Sequence, residues 1–389
     1  MDRRQFFICS IMGAGTLIAS GCSVSGSRLQ QAGVGLQDVG PFAPWDALDN
    51  IEAHDPAVLP AAAILASNPH NTQPWTMALN ERRFQIRADT ERHLGAFDPY
   101  QREMWIGLGC AIANAEIAGA QAGLRTGRPS ISRLGSNGAG RVALEFQKTA
   151  PFPHPLAPFI RERRTNRAPY KNRPVQPDAL KRVFELVGDI PGARYTILDP
   201  SSAQGQAFAQ ETVEATRAIN TDEQMSRDSH VWFRGNARKV AHHRDGVSIA
   251  TAGLAPAVTL LGQLLPETER QKSGEYWLAS TQRQIANTGG FGIISVKNLY
   301  DRNSQIAAGR LWQRLHLAFT AYGIAAQPMN QLPEIVDRDR HLGENRGWHE
   351  KLRKISGTTG NATMAFRFGD PARKVPHSAR RPMGWIVKS

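Results

Sequence analysis

The chain has 389 residues, of which 41% are apolar and 21% charged. That balance excludes a disordered or fibrous protein and allows one large domain or two ordinary ones. The formal net charge of +13 favours anionic partners such as phosphate, nucleic acid or a lipid surface without choosing among them. The arginines are spread along the whole chain and no zinc spacing or nucleic-acid module occurs, so nucleic acid is not an expected partner.

Arg3 and Arg4, then Gln5, Phe6, Phe7 and an apolar run to Ala19, resemble a twin-arginine export signal. The run is too short to span a bilayer, which needs about 20 residues. The following "ASGC" resembles a lipoprotein cleavage site, with Ala19 where a leucine is usual. Lipidation of Cys22 would attach the mature protein to a membrane surface; the alternatives are ordinary cleavage nearby or an uncleaved anchor. Residues 1–22 therefore read as the signal, and the small, polar, Gly/Ser-containing residues 23–45 as a flexible tether. Only Cys9, Cys22 and Cys110 exist, so the mature body can form no internal disulfide, which fits folding before export. The twin-arginine route carries folded proteins, often with a cofactor loaded, and so points towards a tightly bound cofactor.

The remaining chain reads in order as follows. Residues 46–66 carry a helical apolar pattern. "SNPHNTQPW" (67–75) is a stiff polar turn. "MALNERRFQIRAD" is a hairpin about Asn80 and Glu81. The Ala/Gly-rich stretch 98–124 is a buried helix, with Cys110 inert inside it, and 141–148 is a strand. A proline-rich joint at 151–159 leads to "IRERRTNRAPY". A helix (178–190) and a strand (193–199) follow. Residues 203–283 are mainly helical, with a covering apolar stretch near 246–266. Then come a strand (291–297), a helix (304–324) and a strand (362–372). His242 and His243 are adjacent and lack a carboxylate at ligand spacing, so they read as surface residues, and no metal site is expected. Two long helices end alike, in Ala-Gly-Leu and Tyr-Gly-Ile, with glycine where a helix C-terminus prefers it, which suggests an internal repeat.

"NTQPW" after an alanine-rich segment, "RRTNR" opening a second unit, "GIAAQPMNQ" after a long helix and "FRFGDPARKVPHSARRP" near the end together resemble the nitroreductase family. The likeness is to its internally duplicated Acg-like branch, in which one chain mimics the usual homodimer, and it runs from about residue 50 to 385. The resemblance implies an α+β fold of two pseudo-symmetric halves, each a mainly antiparallel sheet flanked by helices. The first half would be 46–155 and the second 156–389, with a helical lid over about 220–285 whose apolar stretch 247–265 faces inwards. It also implies FMN. Arg163, Thr165 and Arg167 match the segment gripping its phosphate and ribityl chain, as alternating guanidiniums suit phosphate. Ser67, Asn68, Pro69 and Asn71 match the turn along the flavin, with Gln73 to Trp75 fixing that turn. Pro328, Met329, Asn330 and Gln331 match the segment whose backbone faces the flavin's reactive edge, with the Asn330 N–H near N5; the family often has Glu-Gly at 330 and 331. Arg380 and Arg381 match the C-terminal basic residues reaching the phosphate, and Ser378 is a weaker candidate.

"RRTNR" stands only in the second half and "NTQPW" only in the first, so one flavin site per chain is expected, at the interface between halves, and a monomer is favoured. The activity implied is two-electron reduction of a flavin followed by transfer to a nitro-aromatic, quinone or similar small acceptor. The electron donor stays open, since family enzymes draw on NAD(P)H, which is scarce outside the cytoplasm. Two alternatives stand beside this: a non-catalytic flavin-binding or storage protein, and a surface scaffold without flavin.

Overall fold

The computed structural model describes residues 40–134, 139–264, 269–357 and 360–388. The export signal at 1–22, Cys22 and most of the tether lie outside these. Residues 40–45, expected to end the tether, are folded: Ala43–Trp45 is a 3-10 turn, and Trp45 is buried. Residues 46–66, expected as one helix, instead form a second 3-10 turn and a six-residue helix, Val58–Ala63. Pro56 breaks the run just before this helix, which takes Pro60 in its first turn, and the run is buried on all sides from Ala57 to Ala66, so no solvent face sustains a helical period.

The hairpin is present as β1 (Trp75–Leu79) and β2 (Arg83–Ala88), its turn held by Asn80 Oδ1 accepting from the N–H of Arg83 at 2.8 Å. Helix α1 (Arg102–Gln121) follows, then β3 (Leu124–Thr126), β4 (Ser130–Arg133) and β5 (Gly140–Lys148). After α2 (Pro177–Val187) and β6 (Ala193–Leu198) comes an inserted layer. It comprises α3 (Ala203–Thr221), α4 (Glu223–His230), β7 (Phe233–Arg234), α5 (Ala237–His243), β8 (Val247–Ser248), α6 (Pro256–Leu264) and α7 (Arg270–Ala286). The chain then returns as β9 (Gly290–Val296), α8 (Arg302–Ala321), β10 (Ala325–Pro328), α9 (Gln331–Leu342), α10 (Trp348–Ser356) and β11 (Asn361–Gly369). The last strand, β12 (Val387–Lys388), adds to the first sheet parallel to β1, with Val387 opposite Met77.

The class is α+β, with two main sheets, and their topologies coincide. The first runs β1-β2-β5-β3 and the second β6-β9-β11-β10, every one of these pairings antiparallel. Each has its long helix between the second strand of that order and the last, and the two helices have the same length. Gly123 and Gly323 end them with φ of 78° and 69°, left-handed backbone that glycine alone takes without strain. α1 and α8 pack face to face at a reciprocal point. A Cβ on Gly109 would overlap the Ile306 carbonyl, and one on Gly309 would overlap the Ile106 carbonyl. Such an i-to-j, j-to-i exchange is what a two-fold axis produces. Beside the crossing, Gln313 Nε2 donates to Asn114 Oδ1 at 2.8 Å, and Arg310 pairs with Glu116 at 3.0 Å. The hydrophobic core is continuous across this seam, joining Ile64, Leu108, Ile112, Leu311, Leu315 and Phe366. A second cluster lies under the inserted layer, around Phe97, Phe208, Phe291 and Leu332.

Candidate functional site

The turn leading into β1 is held in a conformation few side chains adopt. His70, Asn71 and Gln73 have φ of 45°, 57° and 51°, which costs a residue with a Cβ roughly 1–2 kcal/mol. Side-chain bonds over-determine it. Asn68 Oδ1 accepts from the Gln73 N–H at 2.8 Å. Asn71 Nδ2 donates to the carbonyls of Gly246, at 3.2 Å, and Ala379, at 3.0 Å. Gln73 Nε2 donates to the Arg244 carbonyl at 2.8 Å, and its Oε1 accepts from the Arg381 N–H at 2.8 Å. The turn is thereby locked to the inserted layer on one side and to the C-terminal segment on the other, while Trp75 is buried in the core. Asn71→Ala removes both donors and puts alanine in a left-handed position. It should cost about 2–3 kcal/mol, read as a lower urea midpoint, with faster hydrogen exchange at Gly246.

The "RRTNR" segment runs extended beside β10. Thr165 pairs with Ala326, and the Asn166 N–H donates to the Ala326 carbonyl at 3.2 Å. Alternation along extended chain puts positions 163, 165 and 167 on one side. All three line a narrow pocket with Ser67, Asn68, Asn71 and Arg380. Trp45 closes it, stacked on His377 at 4.2 Å, with the guanidiniums of Arg163 and Arg380 over its ring at 5.8 and 4.9 Å.

The electrostatics of this pocket are one-sided. Arg163 and Arg380 are each 2% exposed, and no carboxylate opposes Arg163, Arg167 or Arg380 among the described residues. Burial lowers Arg163 and Arg167 to about 10. Arg380 is pushed well down by burial and then by the Arg163 charge. Their N–H groups are met only in part by neutral acceptors. Arg163 Nη2 donates to the Leu65 carbonyl at 3.1 Å, Arg167 Nη1 to that of Thr251 at 3.2 Å, and Arg380 Nη1 to Ser378 Oγ at 2.8 Å and to Asn71 Oδ1. The Nε atoms of Arg163 and Arg380 have no partner. Buried cations without counter-charge are costly, and an anion seated among them removes that cost.

The narrow pocket opens into a cavity of ≈ 610 Å³, within the range of small-ligand clefts. Ser67, Asn68, Thr165, Arg167 and Val247 line both. Pro69, Pro328, Asn330 and Gln331 line the broad part. Asn330, the N-cap residue of α9, has φ −89°, so a residue with a Cβ stands there without strain. Its own N–H and that of Gln331 lie at the helix start, where intrahelical acceptors are lacking. Two expected residues turn elsewhere. Met329 lies in the second core cluster, with no exposed surface, because its backbone is registered on β11 through the Ala365 carbonyl at 2.8 Å. Arg381 points away from both pockets to the Gln73 carbonyl at 3.4 Å, drawn towards Asp89 and Asp245.

The inserted layer roofs the cavity with Trp232, Phe233, Tyr276 and Trp277. Gln284 Nε2 anchors it to the Arg167 carbonyl at 2.9 Å. The apolar stretch 247–265 does not face inwards as a whole. Ile249 and Leu254 line the cavity and Val258 reaches its edge while 52% exposed, but Leu260 on α6 is 63% exposed and turns away, because α6 packs at the rim, beside the 3-10 turn Ile249–Thr251. Cys110 also lines the cavity, its thiol donating to the Gly309 carbonyl at 3.3 Å and pushed up by burial. His242 and His243 are exposed at the end of α5.

Sequence reasoning missed three groups of lining residues. Trp45 was masked by a tether-like composition, although a tryptophan there was a signal. The roof aromatics lie in a short turn and strand, Trp232 and Phe233, and in a helix, Tyr276 and Trp277, none of them in a motif. Glu103 and Glu334, each in the first turn of a helix, are 231 residues apart yet meet at one side of the cavity. Burial raises both, Glu103 to about 7.

No family model and no curated protein matches the sequence. Among solved structures, the chain is similar to the FMN-dependent nitroreductase NfnB of Mycobacterium smegmatis, solved in complex with NADPH. Identity is 17%, 58% of this chain and 94% of that chain are covered, and the TM-score is 0.38. The FMN- and NADPH-dependent nitroreductase NfnB of Sphigopyxis sp. strain HMH gives 15%, 58%, 95% and 0.37 in the same order. A nitroreductase-like family protein of Bacillus cereus gives 13%, 60%, 95% and 0.31.

Proposed function

We propose that this chain is an exported FMN-binding oxidoreductase of the nitroreductase type, holding one flavin per chain between two halves that arose by duplication. The observation that carries the reading is the trio Arg163, Arg167 and Arg380 at the closed end of a wide aromatic cavity, the first and last buried and Arg167 half-buried, with no carboxylate opposing them among the described residues. A terminal phosphate matches that donor set in charge, and the unpartnered Nε atoms of Arg163 and Arg380 match it in hydrogen bonding. A planar ring system beyond the phosphate would lie along Ser67, Asn68 and Pro69, with the start of α9 at its far edge. The coincident strand orders and the reciprocal glycine contact support duplication.

Bound FMN supplies two-electron chemistry there. The chain's residues bind, orient and exclude water. Arg163, Arg167 and Arg380 hold the phosphate; Thr165 and Ser378 add hydroxyls to the same wall. The roof of Trp232, Phe233 and Trp277 keeps the cavity apolar and suits a flat, uncharged acceptor such as a quinone or nitro-aromatic. Export, attachment through Cys22 and the nature of the electron donor belong to the same proposal. A donor other than NAD(P)H is favoured if the protein works outside the cytoplasm.

Anaerobic reduction of the purified protein by dithionite or NAD(P)H, followed by a quinone, tests the function. An oxidoreductase bleaches and recovers its flavin colour within each cycle. Flavin that bleaches and is not reoxidised by any quinone or nitro-aromatic points to storage. A colourless protein that refuses added FMN points to a scaffold.

A further inference from the structure

The broad cavity holds a carboxyl pair that flavin binding does not use. Glu103 projects from the first turn of α1 and Glu334 from the first turn of α9; both are 5% exposed and both line the cavity. They lie within hydrogen-bond reach of each other. We propose that Glu103 and Glu334 share a single proton at the cavity wall and deliver it to the acceptor during its reduction. This rests on the flavin reading above.

Three features fix the pair as half-protonated. Two carboxylates in contact cannot both stay ionised in a buried site. The nearest cation, Arg102, is engaged by Asp337 at 2.6 Å and stands 3.8 Å from Glu103, so it supports one negative charge rather than two. Asp98 and Asp337 add negative charge from the same side, with Tyr300 donating to Asp337 at 2.8 Å. Across the cavity stand Arg270 and His230 of the roof. The opposing help comes from the two helix starts, whose positive ends stabilise the remaining carboxylate. Asn330 Nδ2 holds Glu103 Oε1 at 3.0 Å, which orients the pair next to the segment expected at the flavin's edge. A second observation points to a ligand there. Gln331, 5% exposed and lining the same cavity, leaves its Oε1 without a partner.

The step balances. A quinone receives a hydride equivalent, two electrons and one proton, from the reduced flavin, and its second proton from the carboxyl pair. One carboxyl O–H breaks, one O–H forms on the acceptor, and hydroquinone leaves. Solvent water reprotonates the pair.

The test uses the FMN-loaded protein, reduced with dithionite and mixed separately with benzoquinone and ferricyanide, which takes electrons without protons. Glu103→Gln should slow reoxidation by quinone about 100-fold, the scale of general acid catalysis, and leave the ferricyanide rate within about twofold of the parent. Glu334→Gln should behave alike. A quinone rate within about twofold of the parent, or equal slowing with both acceptors, overturns the proposal. A readout independent of turnover is the melting temperature against pH. Burial raises the Glu103 carboxyl from its ordinary 4.5 to about 7. The folded protein is therefore unpenalised below 4.5 and fully penalised above about 7, and the advantage of Glu103→Gln should grow as pH rises between them. A pH-independent difference contradicts the shared proton. Absence of flavin would instead defeat the underlying reading, and it shows in the spectrum before any acceptor is added.

Discussion

Replacing Arg163 and Arg380 together by methionine should abolish FMN retention while leaving the protein folded. Each guanidinium offers charge-assisted hydrogen bonds to a phosphate, worth about 1.5–3 kcal/mol apiece. Losing two weakens binding by about 3–6 kcal/mol, or about 10²–10⁴-fold in Kd. The effect on the ligand-free protein should be small because two changes oppose each other. The mutual repulsion of buried Arg163 and Arg380 disappears. The Leu65 and Ala66 carbonyls lose their donors, which stand at 3.1–3.3 Å and 3.2 Å. Isothermal titration with FMN, paired with melting curves in its absence, separates the two. Undiminished affinity would remove the phosphate from this pocket.

Gly309→Val should unfold the seam between the halves. The α1–α8 crossing leaves no room for a Cβ, since one on Gly309 meets the backbone of Ile106 and Cys110 rather than the end of a flexible side chain. Overpacking against backbone costs about 3 kcal/mol or more. The narrow pocket proposed for the flavin phosphate takes Ser67, Asn68 and Asn71 from one side of this seam and Arg163, Arg167 and Arg380 from later in the chain. Flavin should therefore be lost with stability. Urea denaturation and flavin content check both, and a variant of parental stability that keeps its flavin would contradict the packing described.

Much of the site was legible because its residues cluster in short stiff motifs. Position 163, 165 and 167 needed only an extended chain to share a face, and the asparagines and prolines of 67–75 marked a fixed turn. What stayed hidden is non-local. The matching strand orders depend on pairings such as β6 with β9, separated by the whole inserted layer. Glu103 and Glu334 are ordinary first-turn acids until two helices converge. Arg381 reads like Arg380 in sequence, but neighbouring residues of an extended chain point to opposite sides, so only Arg380 reaches the pocket. The helix expected over 46–66 failed because its first half is polar and ends at Pro56, while its second half, 57–66, is buried all round and has no face to repeat.

The central claim is a single flavin site between two halves of one chain. The most direct test is the absorbance spectrum of the folded mature protein, with the released cofactor identified and counted. Visible flavin absorption with FMN at about one per chain is the expected result. A protein that takes up two FMN per chain, or one that stays colourless in excess FMN, would contradict the claim.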